Sequence, residues 1–219
     1  MRREGNIIQE IIDHDNMSDS FDQVLRGTVR KKCREGQELL AHREEVIANL
    51  QREIADGTFT VSEYRERDIY EYGKHRRLQI VKMERRIGCH AIMRVVDRHL
   101  HRRFIRTTGA SIKGRGTHDM MQQVSAVLRD NPHLKYAYQF DIRHFYENVD
   151  HQLAKDAYAH VFKDKVLLQI LGSLIDLLEQ GISFGLRTSQ ATGNLILSIH
   201  LDHPLKDVVP RELLSTVPL

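Results

Sequence analysis

The stretch from residue 136 to residue 151 constrains the fold of this chain more than any other. Large apolar residues occupy every second position at its start: Tyr136, Tyr138, Phe140 and Ile142. Aromatic and β-branched residues at a period of two predict a half-buried strand. Asp141 then lies at the end of that strand, on its less apolar face, and a helix is expected to begin near His151.

Asp141 is a candidate ligand for a hard cation. Mg²⁺ prefers carboxylate oxygens and keeps waters and phosphate oxygens as its other ligands. Aspartate is also a common turn residue, so the residue type alone leaves both roles open. The string from Tyr138 to His151 is far more specific than the aspartate by itself, and this string favours a catalytic role.

A glycine-containing loop follows a strongly apolar helix later in the chain. It begins at Gly181 with the sequence GISFGLRTSQATGNL. Glycines permit a close approach between backbone and ligand, and Thr188 or Ser189 can cap the helix that follows. An ordinary loop and helix start without any chemistry is the alternative.

A basic hairpin is predicted in the first half of the chain. Gly73 separates two strand-like runs, residues 65–72 and 76–82, and Lys74 and Arg76 lie just after it. Cationic side chains at a hairpin tip suit contact with phosphate, arginine through its two parallel N–H groups. A solvated basic hairpin without a ligand is the alternative. A fourth segment, SIKGRGTH from Ser111, is a glycine-rich turn that Thr117 is expected to cap.

The charge is distributed unevenly along the sequence. The net charge is +3, yet residues 61–118 contain 15 Lys and Arg against 6 Asp and Glu, an excess of nine positive charges. The rest of the chain contains 18 basic and 24 acidic residues, an excess of six negative charges. This asymmetry suits a nucleic-acid channel beside a metal site, and a solvated charged face has the same composition.

Composition predicts a globular protein. The hydrophobic content is 41%, no apolar run reaches the length of a membrane span, and the first residues lack the apolar stretch of a signal peptide. Cys33 and Cys89 are far apart, so we expect reduced thiols in a cytoplasmic protein. The 13 histidines lack partner cysteines and His-x-x-x-His spacing, which argues against a dedicated zinc site.

Apolar periodicity indicates an α+β fold. Two or three helices are predicted before Asp56, and a short strand at residues 58–61. Mixed helices with few, separated strands are typical of the α+β class. Further helices are predicted at residues 86–102, 117–129, 151–162, 165–180 and 189–202, the last ending at Pro204.

The four segments, in the order in which they follow one another along the chain, resemble the reverse transcriptases of bacterial retroelements. The Ser-Gln step at Ser189 is most similar to the diversity-generating retroelement and group II intron-like type. The resemblance extends over residues 5–207 and implies the fingers and an incomplete palm of a right-hand polymerase. It divides the chain into a helical segment (1–57), fingers (58–134), a partial palm (135–207) and an unassigned tail (208–219).

The resemblance implies an RNA-directed DNA polymerase that uses Mg²⁺, an RNA template, a DNA primer and deoxynucleoside triphosphates. Asp141 would be the catalytic metal-binding carboxylate, with the backbone carbonyl of Ile142 as a further ligand. Tyr146 would pack beneath the sugar and exclude a 2′-hydroxyl, while Lys74 and Arg76 would contact the triphosphate. The floor beneath the template base and the nucleotide would be shaped by Gly185, Ser189 and Gln190.

The sequence departs from the family pattern in two ways. Ser183 replaces the proline of the family's Gly-x-Pro-x-Gly motif, which is expected to loosen the loop. No Asp-Asp pair occurs anywhere, so the family's Tyr-x-Asp-Asp motif is missing, and so is a thumb. The chain is therefore expected to be inactive alone. Two alternatives stay open, a non-catalytic RNA-binding remnant and an interaction module for an accessory retroelement protein.

Overall fold

The chain folds mainly into helices with one small sheet. The computed structural model describes residues 2–71 and 73–208, and within them the mixture of helices and a two-stranded antiparallel sheet confirms the predicted α+β class. The strands are β1 (Tyr64–Glu71) and β2 (Lys74–Val81). The helices are α1 (Ile7–Ile11), α2 (His14–Val24), α3 (Thr28–Lys32), α4 (Arg34–Ala41), α5 (Arg43–Ala55), α6 (Met83–His101), α7 (Thr117–Asp130), α8 (His151–Val161), α9 (Lys165–Ile175), α10 (Arg187–Leu197) and α11 (His203–Val208).

Helix α6 lies at the centre of the core. It packs against α1, α2, α5 and α10, and its buried positions recur along the whole helix. Gly88 allows Phe59 to pack directly on the helix, because a Cβ at this position would lie only 2.3 Å from the Phe59 ring. Burial of one such aromatic or aliphatic side chain contributes about 1.5–3 kcal/mol, so α6 organises much of the stability. Buried residues from all three predicted segments before residue 208 belong to one apolar cluster.

The Asp164 carboxylate helps to join the N-terminus to the later helices, together with backbone hydrogen bonds between Glu4 and residues 161 and 163. Asp164 caps α9 by accepting a hydrogen bond from the Leu167 N–H at 3.3 Å. Its other oxygen accepts from the N–H groups of Ile7 (3.2 Å) and Ile8 (3.5 Å), which are unpaired donors at the start of α1. Asp164 thereby caps two helices that are distant in sequence.

The predicted basic hairpin is confirmed. β1 and β2 pair in register from Tyr64 opposite Val81 to Glu71 opposite Lys74, and Gly73 takes a φ of +75° in the turn. The predicted strand at residues 58–61 is wrong. Phe59 and Val61 are buried there, but their backbone pairs with no strand among the described residues.

Several predicted helix ends are also corrected. α7 begins at Thr117, so Gly116 is the N-cap and the predicted Thr117 cap is wrong. α10 begins at Arg187, which places Thr188 and Ser189 inside the helix rather than at its cap. The helix predicted to reach residue 180 ends at Ile175. Pro204 does not end the helix, because α10 continues through a π-helical stretch at Ser198–Asp202 directly into α11, which contains Pro204.

The predicted strand before Asp141 is wrong. No strand forms between residues 131 and 145, and the side chains meant for its buried face are exposed: Tyr136 (95%), Tyr138 (90%), Phe140 (52%) and Ile142 (42%). A strand needs a neighbour to satisfy its backbone N–H and C=O groups, and within the described residues β1 and β2 pair only with each other.

The structure shows the character of the helices and the state of the two cysteines. None of the helices in residues 2–71 and 73–208 combines the length and the apolar character that a bilayer crossing requires. Both cysteines are unpaired, Cys33 exposed and Cys89 buried, and burial raises the pKa of the Cys89 thiol to about 12.

His90 on α6 leads to a pH prediction. Its Nδ1 is buried without a hydrogen-bond partner among the described residues, and burial, with the charges of Arg187 and Arg94, lowers the pKa of His90 from 6.5 to about 4. The unfolded histidine therefore binds a proton that the folded one does not. This contribution to the free energy of unfolding is intact above pH 6.5 and is lost as the pH falls toward 4, on the order of 3 kcal/mol in total.

Urea unfolding at a series of pH values between 7 and 4 measures this loss. A His90→Gln variant should lose less stability on acidification than the wild type, because it has no proton to take up on unfolding. His160→Gln on the exposed surface is the control and should behave like the wild type. Parallel pH profiles for wild type and His90→Gln would contradict the prediction.

Candidate functional site

A cleft of about 840 Å³ opens between the hairpin tip and the turn that precedes α8. It draws on β2, on the segment around Asp141, on the turn at Tyr146–Asn148 and on α10. Its lining residues are Lys74, His75, Arg76, Asp141, Ile142, Arg143, His144, Phe145, Tyr146, Glu147, Phe184 and Gln190. The fold thus brings together most of the site residues that the sequence predicts from widely separated segments.

The Tyr146 ring forms one wall of the cleft and is held from three sides. Its hydroxyl donates a hydrogen bond to Oε1 of Gln190 at 3.0 Å, and its ring lies 5.1 Å from the ring of Phe184. Gly193 leaves room on the third side, because a Cβ there would lie 3.3 Å from the tyrosine ring. Burial raises the pKa of Tyr146, an effect that the charge of Arg76 partly offsets. The hydroxyl therefore stays a neutral donor.

The loop that carries Phe184 is fixed by a buried amide on β2. Oε1 of Gln79 accepts hydrogen bonds from the Ser183 hydroxyl and from the Phe184 N–H, both at 3.1 Å. The Ser183 hydroxyl oxygen also accepts from the Gly185 N–H at 3.0 Å. The serine expected to loosen this loop is thus buried and bonded on both sides. These bonds attach the loop before α10 to the hairpin.

The same loop is attached to the turn at Tyr146 by its other end. The Tyr146 carbonyl accepts a hydrogen bond from the Ile182 N–H at 2.8 Å. Gly181 has a φ of +71°, and a Cβ there would lie 2.4 Å from that same carbonyl oxygen, so the position requires glycine. The His151 ring lies between the Gly181 carbonyl (2.8 Å) and Asp176 (3.0 Å) and supports the turn from below.

Two predicted site residues lie outside the cleft lining. Gly185 packs on the backbone of β2, where a Cβ would fall 1.7 Å from the Gln79 carbonyl oxygen. Ser189 is buried in the first turn of α10. Both shape the loop and helix behind Phe184 and Gln190 rather than the surface of the cleft. Their proposed role in shaping its floor stays a prediction.

Cations dominate the hairpin side of the cleft. Lys74 is exposed and forms no ion pair within the described part of the chain. Arg77 is instead held by carboxylates, with Asp68 at 3.3 Å and Glu66 at 3.6 Å. Lys74 therefore brings positive charge to the cleft, whose lining also includes the half-buried Arg76, while Arg77 is paired with carboxylates on the hairpin.

The oxygen ligands available in the cleft lining determine whether the cleft suits one metal ion or two. Asp141 is exposed in the lining, and the Glu147 carboxylate is hydrogen-bonded to His144. Across residues 2–71 and 73–208, no three His, Cys, Asp or Glu side chains converge as a metal-binding group. One carboxylate and the adjacent Ile142 carbonyl fit a single Mg²⁺ that keeps waters and phosphate oxygens. They do not fit a pair of closely spaced ions.

Gln79 and Phe184 are the functional residues that the sequence did not reveal. Phe184 stands inside the glycine loop, where its aromatic character was the available signal. Gln79 lies among apolar residues in a strand pattern, and nothing near it in sequence indicates that its amide accepts hydrogen bonds from a distant loop. Its partner Ser183 lies 104 residues away, so only the folded chain reveals the pair.

No protein-family model matches the chain, and no curated protein matches it.

Replacing Gln79 tests whether its amide oxygen holds the loop at Ser183 and Phe184 against the hairpin. Gln79→Leu keeps a similar volume but leaves the Ser183 hydroxyl and the Phe184 N–H without their shared acceptor. We expect the free energy of unfolding to fall by about 1–3 kcal/mol, the usual penalty for orphaned buried donors. Hydrogen exchange should also accelerate at the Phe184 amide more than in α6.

The matched control is Gln122→Leu on the exposed surface of α7, which should change neither quantity. Unchanged exchange protection at Phe184 in Gln79→Leu would show that the loop is held by other contacts.

Proposed function

We propose that the chain forms the fingers and the first part of the palm of a reverse transcriptase, and that the cleft binds the incoming deoxynucleoside triphosphate. One observation carries the proposal. Lys74 and Arg76, Asp141 and Tyr146, which the family resemblance associates with triphosphate, metal and sugar, line the same cleft although they come from distant parts of the sequence. The excess of positive charge in residues 61–118 supports binding of an RNA template and a DNA primer.

Each side chain has a defined task in this proposal. Lys74 offers a compact charge and Arg76 a planar donor pair, and together they orient the triphosphate. Tyr146 is held rigidly by Gln190 and Phe184, so its ring gives a fixed surface beneath the sugar and leaves no room for a 2′-hydroxyl. Asp141 would hold Mg²⁺, which supplies neutralisation of phosphate charge when bound. The proposed reaction is attack of the primer 3′-hydroxyl on the α-phosphate, with pyrophosphate leaving.

Catalysis needs more uncommitted carboxylates than the described residues bring to this cleft. Two-metal phosphoryl transfer depends on ions about 4 Å apart that share ligands. Asp141 is the one carboxylate in the cleft lining without a side-chain partner among the described residues, since Glu147 is engaged by His144. We therefore propose that the 219-residue chain binds nucleotide and template but does not extend a primer alone. An accessory retroelement protein is a further proposed partner.

The shortage of uncommitted carboxylates among the described lining residues also favours a second candidate, a non-catalytic RNA-binding protein that retains the basic hairpin. The two candidates differ in a measurable way. The polymerase cleft should bind a deoxynucleotide in a Mg²⁺-dependent manner. The RNA-binding protein should bind single-stranded RNA with a steep dependence on salt and should ignore free nucleotides.

Binding of fluorescently labelled dATP, with Mg²⁺ or with a chelator, tests the proposal. The wild type should bind more tightly with Mg²⁺. Lys74→Ala combined with Arg76→Ala should weaken binding by about 10-fold or more, because two charge-assisted contacts to phosphate are lost. Asp141→Asn should remove the dependence on Mg²⁺ while retaining RNA affinity.

Lys31→Ala combined with Lys32→Ala is the matched control, since it removes the same charge from α3, away from the cleft lining. Equal dATP affinity in the wild type and both double variants would refute the nucleotide assignment. Salt-sensitive RNA binding without any dATP binding would favour the second candidate.

Tyr146 should determine the preference for deoxynucleotides. Tyr146→Ala removes the ring beneath the sugar, so the ratio of dATP affinity to ATP affinity should fall by about 10-fold. Tyr146→Phe keeps the ring and loses only the hydrogen bond to Gln190, so it should keep most of the preference. Competition of unlabelled dATP and ATP against the fluorescent probe measures both ratios, and an unchanged ratio in Tyr146→Ala would contradict this role.

A further inference from the structure

The segment from Leu134 to Ile142 lies on the surface, and its only backbone hydrogen bond among the described residues is the one that the Leu134 N–H donates to the Asn131 carbonyl at 3.0 Å. Its rings at Tyr138 and Phe140 lie 5.9 Å apart, as side chains two residues apart do when the backbone between them is extended. The segment is therefore shaped like a strand, although no neighbouring strand completes it.

Its two faces differ in chemistry. Alternation places the apolar residues on one face: Leu134, Tyr136, Tyr138, Phe140 and Ile142. The opposite face carries Lys135 at one end and Asp141 at the other. An exposed, apolar strand with free N–H and C=O groups is a template for pairing with another chain, and this one contains no proline to prevent it.

We propose that this segment pairs antiparallel with the same segment of a second copy of the chain, about a twofold axis at Tyr138. Residues directly opposite one another in such a pair point to the same face. The axis places Tyr138 opposite its own copy and creates four kinds of pair that each occur twice: Leu134 with Ile142, Tyr136 with Phe140, Lys135 with Asp141, and Ala137 with Gln139.

Charge selects this register over its neighbours. With the axis at Tyr138, both polar ends join a lysine to an aspartate. With the axis moved to Gln139, Lys135 would instead face Arg143, and like charges would meet twice. An axis between two residues would place apolar side chains opposite polar ones, because a shift by one residue reverses the face.

A two-stranded ribbon alone is marginal, so the contact needs further apolar area. Helix α7 precedes the segment, has no buried residue and exposes large apolar side chains: Met121, Val124 and Leu128. A second copy can cover this surface together with the ribbon. Pairing would also engage Asp141 with Lys135 of the second copy, beside the cleft that Asp141 lines.

Sedimentation velocity on the whole chain at rising protein concentration tests the pairing. The wild type should shift from 25.5 kDa toward twice that mass. Lys135→Asp and Asp141→Lys should each weaken dimerisation at least about 10-fold, because each creates two like-charge pairs. The double variant exchanges the charges and should restore dimerisation, a result that nonspecific apolar association does not give.

Lys113→Asp, an exposed lysine outside the segment, is the control and should dimerise like the wild type. All altered residues are exposed, so thermal melting should confirm that the variants fold. If the chain stays monomeric at high concentration, the segment does not pair with a second copy of itself. A dimer that ignores the single reversals, or that the double variant fails to restore, would place the contact elsewhere. Any of these results overturns the proposal.

Discussion

The buried amide of Gln79 is the interaction on which the candidate cleft depends. Its oxygen accepts from Ser183 and Phe184 and so fixes the loop before α10 against the hairpin. Phe184 then contacts Tyr146, which is held from behind by Gln190. The hairpin, the loop, the turn at Tyr146 and α10 thus form a continuous set of contacts. Because buried donors are costly to leave unsatisfied, this set resists partial opening.

The contrast between the hairpin and the segment before Asp141 has a simple physical cause. Both have strand-like sequences, but β1 and β2 are adjacent in the chain and satisfy each other through the turn at Gly73. The segment at residues 134–142 has no such neighbour within the described residues, so its apolar side chains face solvent. A surface of this kind invites pairing, and the opposite charges at its two ends favour its own copy.

The distribution of charge separates the two tasks that we consider for the cleft, binding and catalysis. Cations on the hairpin suit phosphate and a rigid aromatic ring suits a sugar, and both support the nucleotide binding that we propose. The single uncommitted carboxylate suits one Mg²⁺ carried with a phosphate ligand. Binding of nucleotide and template is therefore a property we propose for this chain, whereas primer extension needs carboxylates that the described residues do not bring to the cleft.

Local patterns in the sequence determined much of this molecule. Apolar periodicity placed α6 and α7 and indicated the α+β class, and Gly73 placed the hairpin, because helices and tight turns form from residues close together in the chain. The family resemblance, which rests on the order of the motifs, also predicted that Lys74 and Asp141 belong to the same site. Only the tertiary structure decided that Gln79 clamps a loop 104 residues away, and that the strand-like segment before Asp141 stays unpaired. Both outcomes depend on which distant groups meet, and hydrogen-bond satisfaction between distant segments leaves no periodic signal in sequence.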